Sequence, residues 1–278
     1  MSMTRNIAPD DYKKFKNFLE KACGITLGEG KQYLIISRLT KLLRDEGFSS
    51  VAELLTAIEL NQPQYLRDLV IDAMTTNETS WFRDRSPFEV LATDVFPLWD
   101  KEKKRQCKIW SAACSSGQEP YTISIALSEY KATIATTNLN LASIVATDIS
   151  ASMLQEAKQA EYDESIVGRG ISSKRKQQFF RQNSGRWIVA DDIRQRVSFK
   201  EQNLLSTYDA LGKFDIIFCR NVLIYFASDR KADILNRMAK SLNPGGFLFL
   251  GASETVMGYS DAFEMRRSAS GVYYRLKD

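Results

Sequence analysis

The sequence predicts an α/β protein: an all-helical N-terminal domain, then a mostly parallel, doubly wound sheet carrying a small inserted β-subdomain. Three observations predict it. Apolar residues in 9–73 recur at helical spacing, with no strand pattern. From residue 108 on, short apolar runs rich in β-formers alternate with amphipathic segments, the pattern of parallel strands joined by crossover helices. Residues 161–196 place more chain between two of those strands than one helix needs.

In the N-terminal part, Asp10-Asp11 marks a helix start, and Tyr12, Phe15, Phe18 and Leu19 give its apolar spacing. A second helix is expected from about Lys31 to Glu46. Its apolar face carries Ile35, Ile36, Leu39, Leu42 and Leu43, and Arg38, Lys41 and Arg44 fall on the other side. Gly47 stops it, and shorter helices follow near 51–60 and 63–73. Residues 74–107 read as a linker.

Strands are expected at IWSA (109–112), IVATD (144–148), VSFKE (197–201), FDIIFC (214–219) and FLFLG (247–251). Helices are expected at 121–130, 151–160 and 229–242. Asn243-Pro244-Gly245-Gly246 reads as a turn before the last of these strands, and FEMRR with GVYYRL as a closing antiparallel pair. Within 161–196, KRKQQFF reads as helix and GRWIVADDIRQRVSF as strand, turn and strand, the turn lying between WIVADD and IRQRVSF.

Composition narrows the chemistry. The chain has 278 residues, 44% apolar and 26% charged, as in an ordinary globular protein. No apolar run approaches membrane-spanning length and the N-terminus has no apolar signal core, so a cytoplasmic protein without membrane insertion is expected. Cys23, Cys107, Cys114 and Cys219 are widely spaced, as reduced thiols are, and not as a disulfide frame or zinc site. There is no histidine, which removes the commonest general base and metal ligand. No metal is expected. The net charge of +4 is too mild to demand nucleic acid.

Ligands of doubly wound sheets bind at the carboxyl ends of the strands. Those ends carry AACSSGQEP (112–120) after the first strand, Asp148 after the second, Asn203-Leu204 after the third and Cys219-Arg220-Asn221 after the fourth. The first loop has one glycine, Gly117, where a dinucleotide fingerprint wants three, and Glu119 would repel a pyrophosphate. A cofactor with a ribose and cationic groups, such as S-adenosylmethionine (SAM), fits better. Glu119 would pair with a positive group on it and Asp148 would accept the ribose hydroxyls. Taken singly, an Asp such as Asp148 after a strand is more often a helix cap, and Glu119 reads also as an ordinary first-turn acid and Gly117 as a turn. Their joint placement raises the cofactor reading. MTTNETSWFRD (74–84) is either a capped linker or a loop closing over the cofactor through Asn77, Thr79 and Arg83. Tyr225 either sits in the core or aims its hydroxyl into the site.

Together, MTTNETSWFRD, WSAACSSGQEPY, ATDIS, FDIIFCRNVLIYF and LNPGGFLFLGASE resemble the CheR family of chemotaxis receptor methyltransferases. The resemblance covers nearly the whole chain. It implies a Rossmann-like SAM-dependent methyltransferase fold over 108–278 with the β-subdomain at about 161–196. It also implies a receptor-docking helical domain at 1–73 and a cofactor-closing loop in the linker 74–107. The implied reaction transfers a methyl from SAM to glutamate side chains of receptor signalling helices, leaving S-adenosylhomocysteine. The implied cofactor contacts are Asn77, Thr79, Arg83, Glu119, Asp148, Asn203, Leu204, Arg220 and Asn221. Arg83 or Tyr225 is expected to orient the incoming glutamate, and Arg38, Lys41 and Arg44 to dock the receptor.

Some members of this family also bind a pentapeptide at the receptor C-terminus by strand addition to the β-subdomain. The tight turn expected here leans towards a pentapeptide-independent enzyme, and nothing suggests an obligate dimer. The competing readings are a SAM methyltransferase with an RNA or small-molecule acceptor, and a SAM-binding regulator without turnover. A scaffold protein would not gather polar residues at its strand ends.

Overall fold

A computed structural model describes residues 7–60, 62, 63, 65–134, 137, 139 and 141–277. The expectation for residues 1–6 lies outside them. The chain divides into two units, 1–76 with 225–230, and 77–224 with 231–278.

The first unit is built on helices α1 (Pro9–Cys23), α2 (Gln32–Asp45), α3 (Val51–Glu59) and α4 (Leu66–Met74). Phe15, Leu19, Ile35, Leu39, Leu54, Leu66 and Val70 are fully buried and form its core. The start and stop chemistry is local. Pro9 opens α1 with Asp10 and Asp11 in its first turn, and Gly24 closes it in the left-handed region. Ser50 caps α3 by accepting the Glu53 N–H, while Glu53 reaches back to the Ser49 N–H.

Arg38 departs from its expected role. Its guanidinium is half-buried and donates to the carbonyls of Met74 and Thr75 and, at 2.7 Å, to the Thr76 hydroxyl. It therefore satisfies carbonyls left open at the end of α4. Lys41 and Arg44 remain exposed on α2.

The second unit opens with a segment that the sequence disguised as linker. Helix α5 (Ser86–Val90), a wide π-helical turn (Leu91–Val95) and α6 (Phe96–Lys101) run end to end. Phe88, Val90, Leu91, Val95, Phe96 and Trp99 are buried in the main core, so this stretch belongs to the sheet unit. Pro87 and Pro97 each sit at the first or second position of a helical segment, where proline is tolerated.

The strands are β1 (Gln106–Ala112), β2 (Leu141–Asp148), β3 (Glu161–Tyr162), β4 (Phe180–Asn183), β5 (Arg186–Val189), β6 (Val197–Glu201), β7 (Phe214–Cys219), β8 (Leu242–Leu250), β9 (Phe263–Arg267) and β10 (Val272–Leu276). The large sheet has the order β6-β2-β1-β7-β8-β10-β9. All its pairs are parallel except those of β10, which is antiparallel to β8 and β9. Helices α7 (Gln118–Thr133), α8 (Ala151–Gln159) and α12 (Ser228–Ser241) lie in the connections. From β1 the chain first builds outward through β2 to β6, then starts again on the other side with β7. The strand order thus reverses between β1 and β7, the place where such sheets bind ligands.

One face of β7, β8 and β10 carries an aromatic file. The rings of Phe88 and Phe218 stack at 5.9 Å, Phe218 and Phe249 at 4.6 Å, and Phe249 and Tyr273 at 5.8 Å. All six residues of β7 are buried, as a central parallel strand requires. Asn243-Pro244-Gly245-Gly246 does not precede β8 but lies within its span, where the pairing with β7 shifts register between Phe214 and Ile216.

The inserted subdomain is a three-stranded antiparallel sheet, β3-β5-β4, with α9 (Glu164–Val167), α10 (Ser173–Phe179) and α11 (Asp191–Arg194) around it. Its hairpin is not the expected one. The turn is Ser184-Gly185, between β4 and β5, both residues at positive φ, as a two-residue hairpin turn requires. Asp191–Arg194, expected in the turn region, is the short helix α11, and VSFKE joins the large sheet as β6.

All four cysteines are free and buried. Burial pushes the Cys107 thiol up to about 12 and those of Cys114 and Cys219 well above their ordinary value. Each is held protonated at neutral pH, so none of these three serves as a thiolate nucleophile. No described helix is long and apolar enough to cross a membrane.

Candidate active site

The loops at the carboxyl ends of β1 and β7 meet the segment 77–85, and the end of β2 joins them through Asp148. The β1–α7 loop turns sharply, with Ala113, Ser115 and Gly117 all at positive φ. Gly117 caps α7 at φ 95°, and a Cβ there would come within 2.9 Å of the Ala157 Cβ and 3.2 Å of the Ala157 Cα. One glycine therefore serves both the left-handed turn and the close approach of α7 to α8. The Tyr162 hydroxyl fixes the loop by donating to the Ser116 carbonyl at 2.7 Å.

Asp148 is buried at the end of β2. Its Oδ2 accepts the Ser115 N–H at 2.7 Å and its Oδ1 the Ser150 N–H at 2.9 Å. The cap of α8 is Ser150, whose side chain accepts the Met153 N–H. Asp148 is thus not the helix cap. It ties the β1 loop to the β2 loop, and Ser115 Oγ extends the tie by donating to the Asn77 carbonyl at 2.8 Å.

Glu119 and Arg220 meet across the switch point. Glu119 Oε2 accepts from Arg220 Nη1 at 2.8 Å, and its Oε1 accepts from the Ser111 hydroxyl at 2.8 Å. Arg220 Nη2 donates to Asp84 Oδ2 at 2.7 Å and to the Arg83 carbonyl at 2.8 Å. The Arg220 side chain is 1% exposed and that of Glu119 12%. The charge of Glu119 is therefore met inside the protein by Arg220, where the sequence suggested a positive group on the cofactor.

The segment 77–85 is anchored to the subdomain. Trp81 is 1% exposed and packs edge-on against Tyr162 and Phe180, each at 5.1 Å. A Cβ at Gly170 would overlap the Trp81 carbonyl. Phe82, Asp84 and Arg85 all have positive φ, a concentration of strain that must be held by surrounding contacts. Phe82 lies under the Arg175 guanidinium at 3.7 Å, and Arg175 in turn makes a bidentate pair with Glu129. Arg83 Nη1 donates to the Glu78 carbonyl at 2.8 Å, and Asn77 and Thr79 are half-buried.

Asn203 and Leu204 follow β6, whose Glu201 pairs with Asp148. Asn203 Oδ1 accepts the Leu205 N–H, and the Leu204 carbonyl accepts from the Tyr208 hydroxyl and from Arg237. Tyr225 falls with the helical unit. It ends a 3-10 turn, Leu223–Tyr225, and its carbonyl accepts from the N–H and hydroxyl of Thr26, each at 3.0 Å.

The donor set suits SAM better than a dinucleotide. Asp148 stands at the end of β2, where a phosphate would be repelled and ribose hydroxyls accepted. Arg220 Nε is buried without an acceptor among the described residues, a donor that a bound polar group would satisfy.

Sequence reasoning missed Glu254. It follows β8 and accepts backbone N–H groups from Gly251, Asn221, Val222 and Leu223. Gly251 and Glu254, three apart after an apolar strand, were the available signal.

A family model described as "CheR methyltransferase, SAM binding domain" matches residues 77–272, and one described as "CheR methyltransferase, all-alpha domain" matches residues 10–75. The chain is 50% identical over 269 residues to "Chemotaxis protein methyltransferase Cher2" of Pseudomonas putida, covering 96% of this chain and 98% of that protein. It is 51% identical to "Chemotaxis protein methyltransferase 1" of Pseudomonas aeruginosa with the same coverage. Identity to "Chemotaxis protein methyltransferase 1" of Vibrio cholerae is 49%, covering 98% of both chains.

Proposed function

The chain belongs to the CheR family of SAM-dependent methyltransferases, and on that premise we propose that it methylates glutamate side chains on the cytoplasmic helices of chemotaxis receptors. The carrying observation is the buried Glu119–Arg220 pair beside Asp148 at successive strand ends. In this reading Asp148 accepts the ribose hydroxyls, Arg220, Asn221, Asn203 and Leu204 line the cofactor, and Asn77, Thr79 and Arg83 cover it.

When bound, SAM supplies a methyl on a sulfonium, which leaves as the neutral thioether S-adenosylhomocysteine. The acceptor carboxylate is already ionised at neutral pH, so no proton need be removed. A chain without histidine is therefore equipped for the reaction. What remains is alignment and exclusion of water. Arg83 or Tyr225 orients the acceptor, by position rather than by a tight ion pair that would weaken the nucleophile.

Docking falls to Lys41 and Arg44, with Arg38 occupied by the end of α4. The two-residue Ser184-Gly185 turn supports activity without a receptor pentapeptide. The enzyme works as a cytoplasmic monomer in this reading.

Steady-state transfer of labelled methyl to a purified receptor cytoplasmic fragment tests this. The double variant K41E/R44E should raise the receptor KM on the order of tenfold, most strongly at low salt, and leave the affinity for S-adenosylhomocysteine unchanged. An unchanged KM would remove α2 as the docking helix. No transfer by the wild-type chain would remove the receptor as acceptor.

A further inference from the structure

We propose that Glu254 is the positioning residue of this site: its carboxylate shapes the Arg220–Leu223 turn and through it places Arg220 and Asn221. This rests on the reading above, in which those two residues contact the cofactor.

Strands β7 and β8 run parallel and end level, with Cys219 opposite Leu250. Beyond that point the ladder stops, and the next N–H groups lose their strand partners. Glu254 supplies the substitute. Its Oε2 accepts from Gly251 and Asn221, both at 2.7 Å, and its Oε1 from Val222 at 2.9 Å and Leu223 at 2.7 Å. Four N–H groups thus converge on one anion, an arrangement seen where backbone forms a concave anion cradle.

The turn they define is a demanding one. Asn221 has φ 57°, in the left-handed region that few side chains visit. Three consecutive N–H groups, 221 to 223, must point the same way, so the backbone direction leaving Arg220 is fixed. Gly251 belongs to the same device: a Cβ there would lie 2.6 Å from Glu254 Oε2 and 2.9 Å from the Asn221 N. Glutamine cannot replace glutamate, because its amide NH2 would face two of the four donors. Charge-assisted bonds of this kind exceed neutral ones by about twofold, so the anion matters as well as the shape.

The test is calorimetric binding of S-adenosylhomocysteine to wild type, E254Q, N221A and the double variant E254Q/N221A, with thermal unfolding and receptor KM measured beside it. E254Q and N221A should each weaken binding roughly 10- to 100-fold. The double variant should lose less than the two single losses multiplied together, since both act in part through Asn221, and the receptor KM should stay within about twofold. E254D keeps the charge but loses reach, and should fall between wild type and E254Q; it carries the comparison if E254Q does not fold.

Wild-type affinity in E254Q, or losses that multiply in the double variant, would overturn the proposal while leaving Asn221 as a cofactor contact. Wild-type affinity in N221A would instead overturn the cofactor reading of that turn, and the role of Glu254 with it.

Discussion

Arg220→Met should abolish measurable binding of S-adenosylhomocysteine and lower the unfolding free energy by about 3–5 kcal/mol. The Arg220 side chain is 1% exposed and holds Glu119, Asp84 and the Arg83 carbonyl together. Truncation leaves the Glu119 carboxylate, 12% exposed, with the Ser111 hydroxyl but without its cationic partner. That uncompensated charge is the larger part of the stability cost, and Tm should drop on the order of 10 °C. The two effects separate in the double variant E119Q/R220M. Removing the orphaned charge should restore most of the stability, since a neutral pair tolerates burial far better than a lone ion. Cofactor affinity should stay lost, because in the proposed reading Arg220 itself lines the cofactor. Recovery of binding together with stability would reduce the pair to a structural one.

Asp148→Asn should weaken S-adenosylhomocysteine binding by roughly 10- to 100-fold. Each oxygen of Asp148 already holds one backbone N–H, of Ser115 and of Ser150. An asparagine offers one carbonyl to two loops, so one buried N–H goes unpaired at a cost of about 1–3 kcal/mol. The ribose assignment has its own signature. The wild-type chain should prefer S-adenosylhomocysteine over its 2′-deoxy analogue, and Asp148→Asn should lose that preference. Equal discrimination by both would show that Asp148 only joins the loops.

The strand and helix alternation of the sheet unit was legible because each core strand is a short, dense run of β-formers bounded by turn residues. β7 coincides with the expected FDIIFC. The helical run 86–101 was hidden because it is buried over much of its surface, which blurs the amphipathic spacing that marks a helix. The hairpin was misplaced because RWIV and VSF look alike as strands, and only long-range pairing assigns one to the small sheet and the other to the large one.

The site was legible as a set of polar residues at strand ends, but not as a network. Glu119 and Arg220 are 101 residues apart, and only the adjacency of β1 and β7 brings them together. Arg38 looked free on a helical wheel because its partners, the carbonyls of Met74 and Thr75, are backbone atoms with no signature in side-chain patterning.

The most direct measurement of the central claim is transfer of labelled methyl from SAM to receptor cytoplasmic fragments, followed by mild alkali and collection of volatile label. A carboxyl methyl ester is cleaved by hydroxide to carboxylate and methanol, whereas methylated amines and most methylated nucleobases keep their label. The account predicts receptor-bound label that leaves as methanol. Label that stays on the protein through alkali, or no label on the receptor from a chain that binds SAM, would contradict it.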